Sequence, residues 1–172
     1  MIIIEGKFIY LATPRTASRS VSKALLENGG RRLSNNHHAP LHIVRRAKKE
    51  YPDLPFYTFT REPTDHLASW QQMGPTTVIF ETYIETAKVD NPYYKVYGEN
   101  RLNCYAEFCD RIFTLEEGLP AFFDFVKVPV RLKGLHIGAS KDKARITDSR
   151  KKLMAQHFPY DTDLYNRIVG VG

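Results

Sequence analysis

Arg15 and Arg19 stand with Thr13, Pro14, Thr16, Ala17, Ser18 and Ser20 in the stretch TPRTASRS, between an apolar run and the helix-like RSVSKALLENGG. A turn that only joins strand to helix draws on Gly, Asn or Asp. Arginines and hydroxyl residues at a helix N-terminus add donors where free backbone N–H groups and the helix dipole already favour an anion. Arg15 is the candidate clamp, because its charge is permanent and its fork bonds two oxygens at once. Thr16, Ser18 and Ser20 would add hydroxyls, and a merely capped helix with surface arginines is the plainer alternative.

A second cluster, TREPTDHLASW, repeats the arrangement: Arg61 ends an apolar run, Pro63 breaks it, and Ser69 falls about two turns into the following helix. Arg61 and Ser69 could grip a second phosphate, or Arg61 could pair with a nearby acid. NNHHAPLH places His37 and His38 on a polar segment ahead of a helix. Imidazole suits a general base near neutral pH. The spacing to His42 also raises a metal, but without nearby acids or cysteines no metal site is expected. The Walker pattern is absent, since no glycine lies between Gly6 and Gly29 and the turn has no Lys-Ser or Lys-Thr.

Together the two junctions resemble the cofactor motifs of sulfotransferases that use 3'-phosphoadenosine-5'-phosphosulfate. TPRTASRS is similar to the PKTGTTS-like phosphosulfate loop, with Arg15 where many members carry Lys. REPTDHLAS is similar to RxPxxRxxS at Arg61, Pro63 and Ser69, with His66 in place of the second arginine. NNHHAPLHIVRR resembles the His-Ala segment of the carbohydrate-type branch. RIFTLEEGLPAFFDF resembles its strand-acid-helix segment, with Glu116 at the acid position. LHIGASKDK and DTDLYNRI resemble its C-terminal loop and ending, with Gly138 where Asn is usual.

The resemblance implies one domain over residues 1–172, with a three-layer α/β/α, P-loop-NTPase-like fold and a mostly parallel sheet. It implies sulfuryl transfer to a hydroxyl or amine of a carbohydrate or small molecule, leaving adenosine 3',5'-bisphosphate. Pro14, Arg15, Thr16, Ala17, Ser18, Arg19 and Ser20 would line the phosphosulfate loop, with Arg15 acting on the transferring group. Arg61 and Ser69 would hold the 3'-phosphate, Ser140 and Lys141 would close over the nucleotide, and His38, or else His37, would be the base.

The elements that must position these residues follow from periodicity and punctuation. Residues 7–13 read as a buried strand, with the apolar start MIIIEGKFIY taken as a first strand and not a signal peptide. RSVSKALLENGG, PLHIVRRAKKEYP, TDHLASWQQM, with an N-cap at Thr64 or a neighbour, and GLPAFFDFVKV read as helices. LPFYTFT and RIFTLEE read as strands, RLNCYAEFCD as helix, and DSRKKLMAQHFPYDTDLYNRIV as a closing helix. TTVIFETYIETAKV fits helix or strand, and NPYYKVYGEN is a tyrosine-rich loop whose Tyr93, Tyr94 and Tyr97, with Tyr83, could wall an acceptor. Strands alternating with helices predict a mostly parallel sheet covered on both faces, with ligands beyond the carboxyl ends of its strands.

At 172 residues and 42% hydrophobic content the chain is long and apolar enough for a core of its own. A net charge of +6 points to anionic partners. The two cysteines, Cys104 and Cys109, make no CxxC pair and no disulfide framework, and no segment reaches membrane-spanning length, so a cytoplasmic protein is expected. Two other readings stay open: a nucleotide or small-molecule kinase, disfavoured by the missing Walker lysine, and a basic nucleic-acid-binding domain using GGRR and RRAKKEY.

Overall fold

The computed structural model describes residues 1–72, 77–87, 101–129 and 146–170. The start of the chain is a hairpin and not one strand: β1 (Ile2–Ile4) and β2 (Phe8–Leu11) run antiparallel around Glu5 to Lys7. Gly6 turns the chain at φ 68°, in the left-handed region glycine enters without a Cβ penalty. The two-residue β3 (Arg31–Arg32) joins the outer side of β1, also antiparallel. β4 (Phe56–Thr60) pairs parallel with β2, and β5 (Arg111–Thr114) parallel with β4, giving the order β3-β1-β2-β4-β5. The sheet is therefore mixed, and the mostly parallel expectation holds only for its β2-β4-β5 half.

Alternation along the strands divides the core. Ile2, Ile4, Phe8 and Tyr10 join one apolar cluster with Val21, Ala24 and Leu25 of α1 (Ser18–Glu27) and Leu119, Phe122 and Phe123 of α5 (Gly118–Val126). Ile3, Ile9 and Leu11 point the other way, into a cluster with Leu41, Val44 and Ala47 of α2 (Leu41–Glu50) and with Tyr105. A two-residue side-chain period sorts β1 and β2 onto both faces of the sheet. A third cluster packs α3 (Pro63–Gln71) and α4 (Phe80–Thr86) against Met154 and Phe158.

Helix punctuation follows the sequence at most ends. Pro40 is the N-cap of α2, where a missing N–H costs nothing, and α1 ends before Gly29, whose φ is 85°. The cap of α3 is not Thr64, which lies inside the helix, but Glu62 two residues earlier: its carboxylate accepts from Asp65 N at 2.8 Å, and the hydroxyl of Thr64 donates to it.

Two helix expectations are corrected. RLNCYAEFCD holds only a short 3-10 turn, Ala106–Phe108. The amides that would start a helix there bond to side chains instead: Leu102 N and Asn103 N donate to Asp161, and Tyr105 N donates to Asn103 Oδ1. The closing segment is two helices, α6 (Asp148–His157) and α7 (Pro159–Val169), because Pro159 begins a new helix after Phe158. Among the described residues no helix is long and apolar enough to cross a membrane.

Candidate functional site

Because β2 and β4 are parallel and adjacent, the segments leaving their carboxyl ends emerge side by side. Tyr10 pairs with Tyr57 and Leu11 with Thr58, so the turn after Leu11 and the turn after Thr60 meet. Arg15 Nε donates to Ser69 Oγ at 2.9 Å, and Arg61 Nη1 lies 3.4 Å from the Arg15 carbonyl. The two arginine-bearing motifs, 54 residues apart at that first contact, form one site.

The first turn has an unusual backbone: Arg15 (φ 63°) and Ala17 (φ 55°) both occupy the left-handed region without being glycine. Such residues cost on the order of 1–3 kcal/mol each and persist where the surroundings hold them. What holds them is visible. Thr16, fully buried, donates its hydroxyl to Thr13 O at 2.8 Å. His66, on α3, contacts Pro14 O through Nε2 at 2.9 Å. A carbonyl only accepts, so His66 Nε2 carries the proton. Burial holds the His66 pKa down to about 3, against the upward pull of its bond to Pro14 and with the help of Arg61 and Arg15, so it is a neutral ring at pH 7.

A cavity of about 390 Å³ opens above this turn, lined among others by Arg15, Arg19, Ser20, His38, Ser69 and Trp70. Pro14, Ala17, Ser18 and Arg61 also reach its wall. The first turn of α1 faces it with no side-chain cap and no acidic residue. Burial, then the neighbouring charges of Arg61 and Arg19, lower the Arg15 pKa. Crowded cations are relieved by an anion, and the volume falls within the range of small-molecule sites.

Not every expected donor faces that space. The hydroxyl of Thr16 is committed to the turn itself, and Ser18, 5% exposed, has Oγ at 3.2 Å from His37 Nε2. Arg61 is 3% exposed, and its Nε and Nη2 both contact Asp65 Oδ2, one helical turn on. The nearby-acid alternative for Arg61 is thus the observed pairing, and only Nη1 is directed to the turn. His66, at the position of the motif's second arginine, is buried and committed to Pro14 O.

The histidine pair sits at the rim. His38 Nδ1 lies 2.6 Å from Ala12 O and must donate to it, which makes the neutral ring the tautomer with an unprotonated Nε2. Burial lowers its pKa, partly offset by that bond. His37 packs edge-on against it at 4.5 Å between ring centres, and burial, then the charge of His38, holds the His37 pKa down to about 4. Both rings are bases at neutral pH. His42 is exposed on α2, and no metal-binding group of His, Cys, Asp or Glu occurs among the described residues.

Glu116 accepts from Glu62 N at 3.1 Å, which ties the strand-acid-helix segment to the cap of α3. Sequence reasoning missed His66 as a support of the turn, and Trp70 and Asn103. Asn103 reaches Phe59 O with Nδ2 at 3.3 Å, and Thr13 Oγ1 reaches Asn103 Oδ1 at 3.5 Å. Ser140, Lys141, His136, Gly138, Tyr93, Tyr94 and Tyr97 lie outside the described residues. No protein-family model, curated protein or solved structure matches the chain.

Proposed function

We propose that the chain is a sulfotransferase that takes its sulfuryl group from 3'-phosphoadenosine-5'-phosphosulfate, on a three-layer α/β/α fold of the P-loop type. The observation that carries this reading is the junction of TPRTASRS and REPTDHLAS at one basic cavity, closed by the Arg15–Ser69 bond. Its donor set suits the phosphosulfate end: Arg15, Arg19 and Ser20 stand at the uncapped start of α1, beside a turn held in the left-handed region. Trp70 gives the same cavity an aromatic wall.

The fit is weaker for the 3'-phosphate, because Asp65 already occupies two nitrogens of Arg61. In this reading Ser69 and Arg61 Nη1 hold that group, and Arg61 mainly fixes the Arg15 backbone. The donor supplies an activated sulfuryl group and leaves as adenosine 3',5'-bisphosphate. Arg15 neutralises negative charge gathering on the leaving phosphate oxygen, the electrostatic role that dominates such transfers. His38 Nε2 accepts the proton of the acceptor hydroxyl, with Ala12 O fixing the tautomer.

Calorimetric titration with adenosine 3',5'-bisphosphate beside adenosine 5'-monophosphate tests the reading. The bisphosphate binds at least tenfold more tightly, and Arg15→Ala and Ser69→Ala each weaken it by roughly tenfold or more, the size of a lost charge-assisted bond. Equal binding of the two nucleotides, or binding indifferent to Arg15, overturns it. Arg61→Ala is a poor probe, since removing one partner of a buried pair costs about 3–5 kcal/mol by itself.

A further inference from the structure

Thr13 and Thr58 bury two hydroxyls where the sheet meets the candidate site. Both residues are fully buried, and a buried hydroxyl requires hydrogen-bond partners that a valine of the same shape would not. Alternation along β4 puts Thr58 on the face of Phe56, which packs into the α2 cluster, and the register sets it opposite Leu11 at the end of β2. Its Oγ1 donates to Leu11 O at 2.8 Å and stands 2.7 Å from Thr13 Oγ1. A carbonyl only accepts, so Leu11 O takes the Thr58 proton, and Thr13 is the donor between the two hydroxyls. Asn103 Oδ1, at 3.5 Å, is the more distant acceptor for Thr13.

Those two partners of Thr58 are the two ends of one turn. Thr13 N donates to Leu11 O at 3.1 Å, which closes a γ-turn, a shape common at strand ends. Ala12 stands at its centre, just past the last residue of β2. The carbonyl of Ala12 is the group that His38 Nδ1 meets at 2.6 Å. Thr58 thus spans the turn whose middle residue sets the tautomer of His38.

We propose that Thr58 is a positioning residue for His38: by clamping Leu11 and Thr13 it aims the Ala12 carbonyl at Nδ1, and so keeps Nε2 without a proton. The role of His38 as a base rests on the sulfotransferase reading. The clamp itself stands on the hydrogen bonds alone.

Nitrogen-15 spectra of the imidazoles, recorded on the full chain at neutral pH without nucleotide, read the tautomer of His38 directly. The wild type shows the Nδ1–H form. Thr58→Val keeps the volume and the β-branch but lacks the hydroxyl, and is expected to lower the ratio of Nδ1–H to Nε2–H by roughly tenfold, the effect of one lost hydrogen bond. Thr58→Ser restores the wild-type ratio. Thr58→Val also deprives Thr13 of its nearer acceptor and so melts lower than the wild type. The double variant Thr13→Val, Thr58→Val replaces both hydroxyls by groups of matched shape, which recovers stability. It is expected to keep the altered ratio, whereas a merely structural pair would make the ratio follow the stability.

A wild-type ratio in the double variant overturns the proposal, as does the same ratio in a folded Thr58→Val. So does a wild-type chain that holds His38 in the Nε2–H form. Calorimetry with adenosine 3',5'-bisphosphate tests the reading separately. If the nucleotide fails to bind while the ratio still follows the Thr58 hydroxyl, the sulfotransferase reading falls and the positioning of His38 stands.

Discussion

At the scale of single residues, the site depends on side chains that never face its cavity. His66 is fully buried, neutral, and bonded to Pro14 O at 2.9 Å, so it holds the turn that carries Arg15. Its folded pKa of about 3 lies below the ordinary 6.5, so between these values the unfolded chain binds the extra proton. Its contribution to stability is present above pH 6.5 and is lost as pH falls toward 3. His66→Gln keeps an N–H donor for Pro14 but does not titrate. Urea unfolding at pH 7 and pH 4 is expected to show the wild type losing more stability than this variant; parallel losses would show that the ring is not held neutral. This support was not legible in the sequence, where Pro14 and His66 are 52 residues apart. The Arg61–Asp65 pair was, since REPTD places the two at helical i,i+4 spacing.

At the scale of elements, the close approach of α1 to β1 is set by Gly30. A Cβ there would stand 2.7 Å from Leu25 O and 2.9 Å from Ile2 Cγ2, and Gly30 N itself donates to Leu25 O at 2.9 Å. The first of these neighbours is backbone, so it cannot swing aside. Gly30→Ala should therefore cost about 1–3 kcal/mol, the range for overpacking, read as a lower urea midpoint at unchanged slope. Gly29→Ala meets no atom within 4 Å, and its cost comes from the left-handed φ alone.

The elements that periodicity made legible are the helices α1, α2, α3 and α5, whose hydrogen bonds are internal, and the strands β4 and β5, each a short apolar run set off by its flanking residues. The missed ones borrow partners from elsewhere. β1 and β2 share an apolar run interrupted only by Glu5, Gly6 and Lys7, and β3 exists through its pairing to β1. Residues 101–105 have helix-compatible spacing but bond to Asp161 and Asn103.

At the scale of the whole molecule, Asp161 joins the C-terminal helix to the site. Its carboxylate accepts from Leu102 N at 2.8 Å and Asn103 N at 2.9 Å. Asn103 in turn bonds Phe59 O at the end of β4 and Thr13 at the base of the arginine turn, while the Tyr105 hydroxyl donates to Ala39 O beside His38 at 2.7 Å. One carboxylate thus supports both halves of the candidate site from the far end of the chain. Burial raises its pKa to about 7, against the lowering effect of the two amides and Arg101.

Here the folded pKa exceeds the unfolded one, so the sign is opposite to that of His66. The folded chain holds the extra proton between about pH 4 and pH 7, and the Asp161 contribution is full below that window and lost as pH rises through 7. Asp161→Asn keeps one acceptor oxygen, leaves one of the two buried amides unserved at a cost of about 1–3 kcal/mol, and has no titration. Relative to that variant, wild-type stability should fall between pH 5 and pH 8. A constant difference across the range would mean that the two amides keep the carboxylate ionised throughout, and that burial does not govern this joint.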